Sequence, residues 1–147
     1  MTEKATLAGQ PGKREQLTKF ACLDCRRVFK RPVAHTGKRN WPRPVEVRRC
    51  PSCRGDAYLM SSDFKAPPRD DLKRWEVVSY LVRSGMPYFR IYEPVPLAVV
   101  HGHPKARPKG VTAALREAGP YPETMAEAIA FAARYRSQAQ PIVWSDD

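Results

Sequence analysis

Four cysteines fall into two Cys-x2-Cys pairs, Cys22 with Cys25 and Cys50 with Cys53, and no other cysteine occurs among the 147 residues. A two-residue gap lets both sulfurs of a tight turn reach one ion, and two such turns complete a tetrahedron. The 24 intervening residues exceed the roughly 15–20 usual for this spacing, which suits a long hairpin between the turns. All four cysteines are used, so no coordination position stays open for catalysis. The expectation is one structural Zn2+ held by Cys22, Cys25, Cys50 and Cys53. Three other readings compete. Two disulfides would need an oxidising compartment, of which the sequence carries no sign. A redox Cys-x-x-Cys is usually a single motif on a βαβ unit, and Leu23-Asp24 places no basic neighbour inside the turn. Iron takes the same four thiolates, and spacing does not separate it from zinc.

Fifteen prolines break the chain into short elements and argue against long helices. A hydrophobic content of 42% with three tryptophans suffices for a modest core. The most apolar stretch, Leu97 to Val100, is far short of the ~20 residues of a membrane span, and Met1 to Lys19 lacks the apolar run of a signal peptide. A cytoplasmic protein without membrane contact is expected.

The order of elements reads as α+β: a small zinc β-ribbon followed by an α/β extension of short strands and two or three helices. Residues 1–17 read as a flexible tail, 18–62 as the ribbon, 63–68 as a Pro-rich linker, and 69–147 as the extension packed on the ribbon. Strands are expected at Val28-Phe29, Val45–Arg48 and Ala57–Met60, with a loop from His35 to Pro44. Beyond Ala66-Pro67-Pro68, Asp70 or Asp71 can cap a helix in which Leu72, Trp75, Val78, Leu81 and Val82 share a face, ending at Ser84-Gly85. Strands at Tyr88–Tyr92 and Leu97–Val100 follow, then a short helix over Val111–Ala118. A longer helix from Pro122-Glu123 to about Gln138 should turn Met125, Ile129 and Ala132 or Ala133 inward. Ile142-Val143-Trp144 is expected to dock on the core.

The segment holding Cys22-Leu23-Asp24-Cys25 and Cys50-Pro51-Ser52-Cys53, with strands between, resembles the zinc-ribbon superfamily over about 45 residues. That resemblance specifies the metal site. It implies little about function, since such ribbons occur in transcription factors, ribosomal proteins, enzymes and protein adaptors.

Charge adds direction. The chain is +11 overall, and from Pro11 to Arg54 thirteen Lys/Arg face three acids, against twelve facing eleven from Gly55 onward. Arg26, Arg27, Lys30, Arg31, Lys38, Arg39, Arg43, Arg48 and Arg49 are interleaved with Phe20, Phe29 and Trp41. Cations neutralise phosphates, and an exposed aromatic can stack on an unpaired base. Trp41, in a Pro-rich loop, is the expected stacking residue, whereas Phe20 and Phe29 read as core. The function expected is a non-catalytic zinc protein contacting nucleic acid or a nucleoprotein assembly through a basic ribbon face. The alternative is an adaptor or inhibitor that docks on another protein, and a less favoured one is a metal-dependent nuclease. His101 and His103 form an H-x-H pair, but no acidic cluster supports them and Glu93 precedes two prolines, so no catalytic residue is assigned.

Overall fold

The structure, a computed structural model, describes residues 14–35, 44–96 and 113–144. Its larger sheet contains β1 (Arg14–Cys22), β2 (Val28–His35), β3 (Val45–Arg49), β4 (Asp56–Leu59) and β7 (Ile142–Trp144) in the order β2-β1-β4-β3-β7. All pairings are antiparallel except β3 with β7, which is parallel. A second sheet pairs β5 (Tyr92–Pro96) with β6 (Ala113–Glu117). Two helices, α1 (Leu72–Arg83) and α2 (Met125–Arg134), complete the described residues, with a 3-10 turn at Arg136–Gln138. The α+β class expected from the sequence is what forms.

Alternation along the strands gives the large sheet two unlike faces. One face presents Ala21, Val45, Val47, Tyr58 and Met60 to Trp75, Val78 and Val82 of α1 and to Phe64. The other carries Phe20, Cys22, Val33, Cys50, Ala57 and Leu59. The opposite side of α1 places Val77 and Leu81 against Ala128 of α2. Small residues at Ala128 and Ala132 let the two helices approach closely, so sheet, α1 and α2 form three layers. Phe64 is buried, so the stretch read as a linker also supplies the core.

Local chemistry sets the helix ends. The Asp71 carboxylate accepts a hydrogen bond from the Arg74 amide at 3.2 Å, the N-cap expected of Asp70 or Asp71. At the other end the Gly85 amide bonds to the Val82 carbonyl and the Met86 amide to the Leu81 carbonyl, both at 2.9 Å. This double closure requires a left-handed residue, and Gly85 has φ +86°. A Cβ at Gly85 would also run into the backbone of Gln140, whose amide donates to the Gly85 carbonyl at 2.9 Å. Gly85→Ala is therefore expected to destabilise the fold by about 2 kcal/mol, read as a fall in Tm of about 4–8 °C. An unchanged Tm would contradict this account of the turn.

Several expectations are corrected. Residues 113–117 form strand β6 rather than part of a helix over Val111–Ala118, because pairing with β5 overrides the helix propensity of Ala-Ala-Leu-Arg-Glu. The strand expected at Tyr88–Tyr92 begins only at Tyr92, since Tyr88 turns to φ +71° and interrupts the extended run. Helix α2 starts at Met125, where Thr124 Oγ1 accepts from the Glu127 amide at 3.3 Å and donates to its carboxylate at 3.0 Å. It is turned by about one residue from expectation: Ala128, Ala132 and the partly buried Phe131 face inward, while Met125 and Ile129 are exposed. Leu72 and Trp144 are exposed as well. Strand β1 starts at Arg14, within the segment read as tail. The strand expected at Leu97–Val100 lies outside the described residues.

Glu93 has a structural role. Its carboxylate accepts from the Tyr135 hydroxyl at 2.8 Å and from Arg116 and Arg134 at 3.1 and 3.3 Å. The Tyr135 hydrogen bond, followed by those from arginine, holds its pKa below the ordinary carboxylate value. Glu93 thus anchors the small sheet to the end of α2.

Candidate metal centre

The two Cys-x2-Cys pairs form near-identical turns, one between β1 and β2 and one between β3 and β4. In the first, the Arg26 amide bonds to the Cys22 carbonyl and the Cys22 amide to the Arg27 carbonyl; in the second, Arg54 bonds to Cys50 and Cys50 to Gly55, all at 2.9 Å. The residue after each second cysteine is left-handed, Arg26 at φ 63° and Arg54 at φ 67°. This backbone curl points amides at sulfur: Cys25 N lies 3.5 Å from Cys22 Sγ, and Ser52 N and Gly55 N lie 3.3 Å from Cys50 Sγ and Cys53 Sγ. Such donors favour a thiolate. Gly55 sits so close to Asp24 that a Cβ would strike its carboxylate, which places the two turns in contact.

The four sulfurs all lie within 4.8 Å of one another. Across the turns, Cys22 Sγ is 3.5 Å from Cys53 Sγ, and Cys25 Sγ is 3.7 Å from Cys50 Sγ. A tetrahedral ion with metal–sulfur bonds of about 2.3 Å requires sulfur–sulfur edges of about 3.8 Å, so the donor set fits a four-coordinate metal. No two of the cysteines are joined by a disulfide. Cys22 and Cys50 are buried, Cys25 half-buried and Cys53 exposed.

Burial pushes the Cys22 thiol up to about 12 and raises Cys25. At Cys50 burial also acts upward, but the amides of Cys53 and Ser52 and the neighbouring sulfurs outweigh it and bring the thiol down to about 7. The cluster therefore combines one sulfur readily ionised with another that needs a cation to give up its proton.

The expected nucleic-acid residues that are described do not share one face. Arg31 lies over the ring of Phe29 at 4.9 Å and Arg48 over Phe20 at 5.1 Å, on the cysteine side of the sheet. Lys30 alternates to the opposite side, opposite Lys19. Lys19 itself donates to the carbonyls of Ser62 and Phe64. Arg26 donates to the Arg69 carbonyl at 2.6 Å while Arg69 returns a bond to the Cys25 carbonyl at 3.2 Å, so this pair braces the first turn. Arg48 is matched by Glu46 at 2.6 Å. Arg27 reaches Ser52 Oγ at 3.4 Å, and Arg49 the Arg54 carbonyl at 3.2 Å. Lys38, Arg39, Trp41 and Arg43, together with His101 and His103, lie outside the described residues. The bracing roles of Lys19 and Arg69 depend on contacts about 43 positions away in the chain, for which the sequence carries no local signal. Among the described residues no helix is long and apolar enough to cross a membrane.

No protein-family model, curated protein or solved structure matches the chain. The metal assignment accordingly stands on the geometry of four sulfurs.

Proposed function

We propose that the protein is a non-catalytic zinc-binding protein that contacts nucleic acid, or a nucleoprotein assembly, through the cations of its ribbon. Zinc suits four thiolates on closed turns with no vacant position, an arrangement that organises backbone rather than substrate. The observation that carries the binding reading is an imbalance in ion pairing. Among the described residues, four of the nine Lys/Arg beyond the ribbon, Arg74, Arg90, Arg116 and Arg134, pair with Glu123, Asp63 or Glu93. Of the eight described in the ribbon, only Arg48 does so, and among the described residues no carboxylate pairs with Arg27, Lys30, Arg31, Arg49 or Arg54. Uncompensated cations attract polyanions and release their counterions on binding.

Arg26 and Arg48 have structural partners, so the test leaves them intact. In Arg27→Glu/Lys30→Glu/Arg31→Glu/Arg49→Glu, affinity for DNA and RNA probes is expected to fall tenfold or more. The slope of log affinity against log salt should flatten by roughly 0.7–0.9 for each phosphate that is no longer neutralised. Metal content should not change. Binding that survives the four reversals would reject the reading, and a single copurifying protein indifferent to polyanions would favour a protein-docking adaptor.

A further inference from the structure

On the cysteine-bearing face of the large sheet, two aromatic rings and two guanidinium groups form a short stack. Phe20 and Phe29 are cross-strand partners of β1 and β2, with ring centroids 5.7 Å apart and planes within 12°. Arg48 covers Phe20 and Arg31 covers Phe29. The two ends differ. Arg48 is neutralised by Glu46 and half-buried, and the Phe20 ring beneath it is fully buried. Arg31 is exposed, the hydrogen bond found for it is to the carbonyl of Lys30 at 3.0 Å, and among the described residues no carboxylate pairs with it. One end of the stack is closed and the other open.

Resting on the nucleic-acid reading above, we infer that the open Arg31–Phe29 end is a stacking site for an unpaired base, which makes the ligand single-stranded nucleic acid. The Arg31 guanidinium carbon sits 4.9 Å from the Phe29 centroid, and a planar guanidinium on an exposed residue has a face open to a ligand. A base is the flat, polarisable group that completes such a stack, and arginine adds a charge for the adjoining phosphate. A duplex keeps its base faces stacked internally and can offer this site only its backbone. Among the described residues β2 is an edge strand of the sheet, so among them no neighbouring β-strand stands in the way of an extended strand running past the site. Phe29, expected to be core alone, thus does two things: it packs on Phe20 and it orients Arg31.

Arg31→Lys separates stacking from charge, because lysine keeps the positive charge and loses the plane. Binding is measured for an oligouridylate or oligothymidylate and for a duplex of the same length, across a salt series. The ratio of single-strand to duplex affinity is expected to fall about fivefold or more, with the salt slope retained and zinc content and Tm as in the parent protein. A fluorescent base analogue in the single strand should lose its quenching by the protein in step. An unchanged ratio, or a parent protein that prefers the duplex, overturns the stacking site. In either case the broader reading still stands if the fourfold charge reversal abolishes binding to both probes. A parent protein that binds neither probe overturns both.

Discussion

Cys50→Ser is expected to lose stoichiometric metal and to unfold the ribbon. Structural thiolate sites contribute roughly 10–16 kcal/mol of apparent binding free energy at neutral pH, about as much as the whole stability of a small domain. A serine hydroxyl is a poor ligand for a borderline-soft ion, and three remaining sulfurs leave the tetrahedron incomplete. Cys50 is also buried among Phe20, Ala57 and Leu59, so packing alone could be blamed for its loss. Cys53→Ser removes that ambiguity, because Cys53 is exposed and its replacement costs little core. If the ion organises the segment, both variants lose zinc by elemental analysis and both lose the strand signal in circular dichroism. If packing is the cause, only Cys50→Ser suffers. Acid should act in the same direction. The Cys22 thiol, held at about 12 by burial, must release its proton to solvent when it takes up a metal, so protons compete with the metal and metal-derived stability is present at higher pH and is lost as pH falls. Full metal content in either serine variant, or a coloured iron-loaded protein, would refute a zinc site at this position.

The four-cysteine cluster was legible because Cys-x2-Cys spacing is a local constraint: each turn forms from six consecutive residues, and the two turns need only meet. The first helix was legible for a similar reason, since Asp71, Trp75, Val78, Val82 and Gly85 mark cap, face and stop within one short stretch. What could not be read depends on distant partners. Residues 113–117 have helix-forming composition and become a strand only because β5 lies beside them. The inward face of α2 is set by α1, which accepts Ala128 and leaves Ile129 to solvent, although Ile129 is the more hydrophobic. The parallel pairing of Ile142–Trp144 with Val45–Val47 joins segments nearly a hundred residues apart, and no periodicity announces it. The basic ribbon shows the same limit. Its arginines look alike in sequence, yet Glu46 occupies Arg48 and the Arg69 carbonyl occupies Arg26, while among the described residues no carboxylate pairs with Arg31.

Trp75→Ala is expected to cost about 3–5 kcal/mol, a large part of the stability of a domain this size. Trp75 is 3% exposed and sits where α1 meets the sheet face opposite the cysteines. Its ring meets Phe64 edge-on at 6.3 Å, and its indole N–H donates to the Pro68 carbonyl at 3.0 Å. It therefore joins α1, the segment before it, and the ribbon sheet at a single point. Alanine would leave a cavity between layers that α1 cannot close, because Val77 and Leu81 on its other side hold it against Ala128 of α2. Trp75→Phe keeps most of the ring area and forgoes the hydrogen bond, so it should cost roughly 1 kcal/mol plus a smaller cavity term. Denaturant unfolding with zinc present separates the possibilities. If the sheet, α1 and α2 unfold together, Trp75→Ala lowers the midpoint of one transition and leaves its slope unchanged. If the ribbon instead holds itself together through its metal alone, the variant splits the curve in two, and the zinc-bearing transition stays where it was. A shift below about 1 kcal/mol would mean that Trp75 does not join the layers.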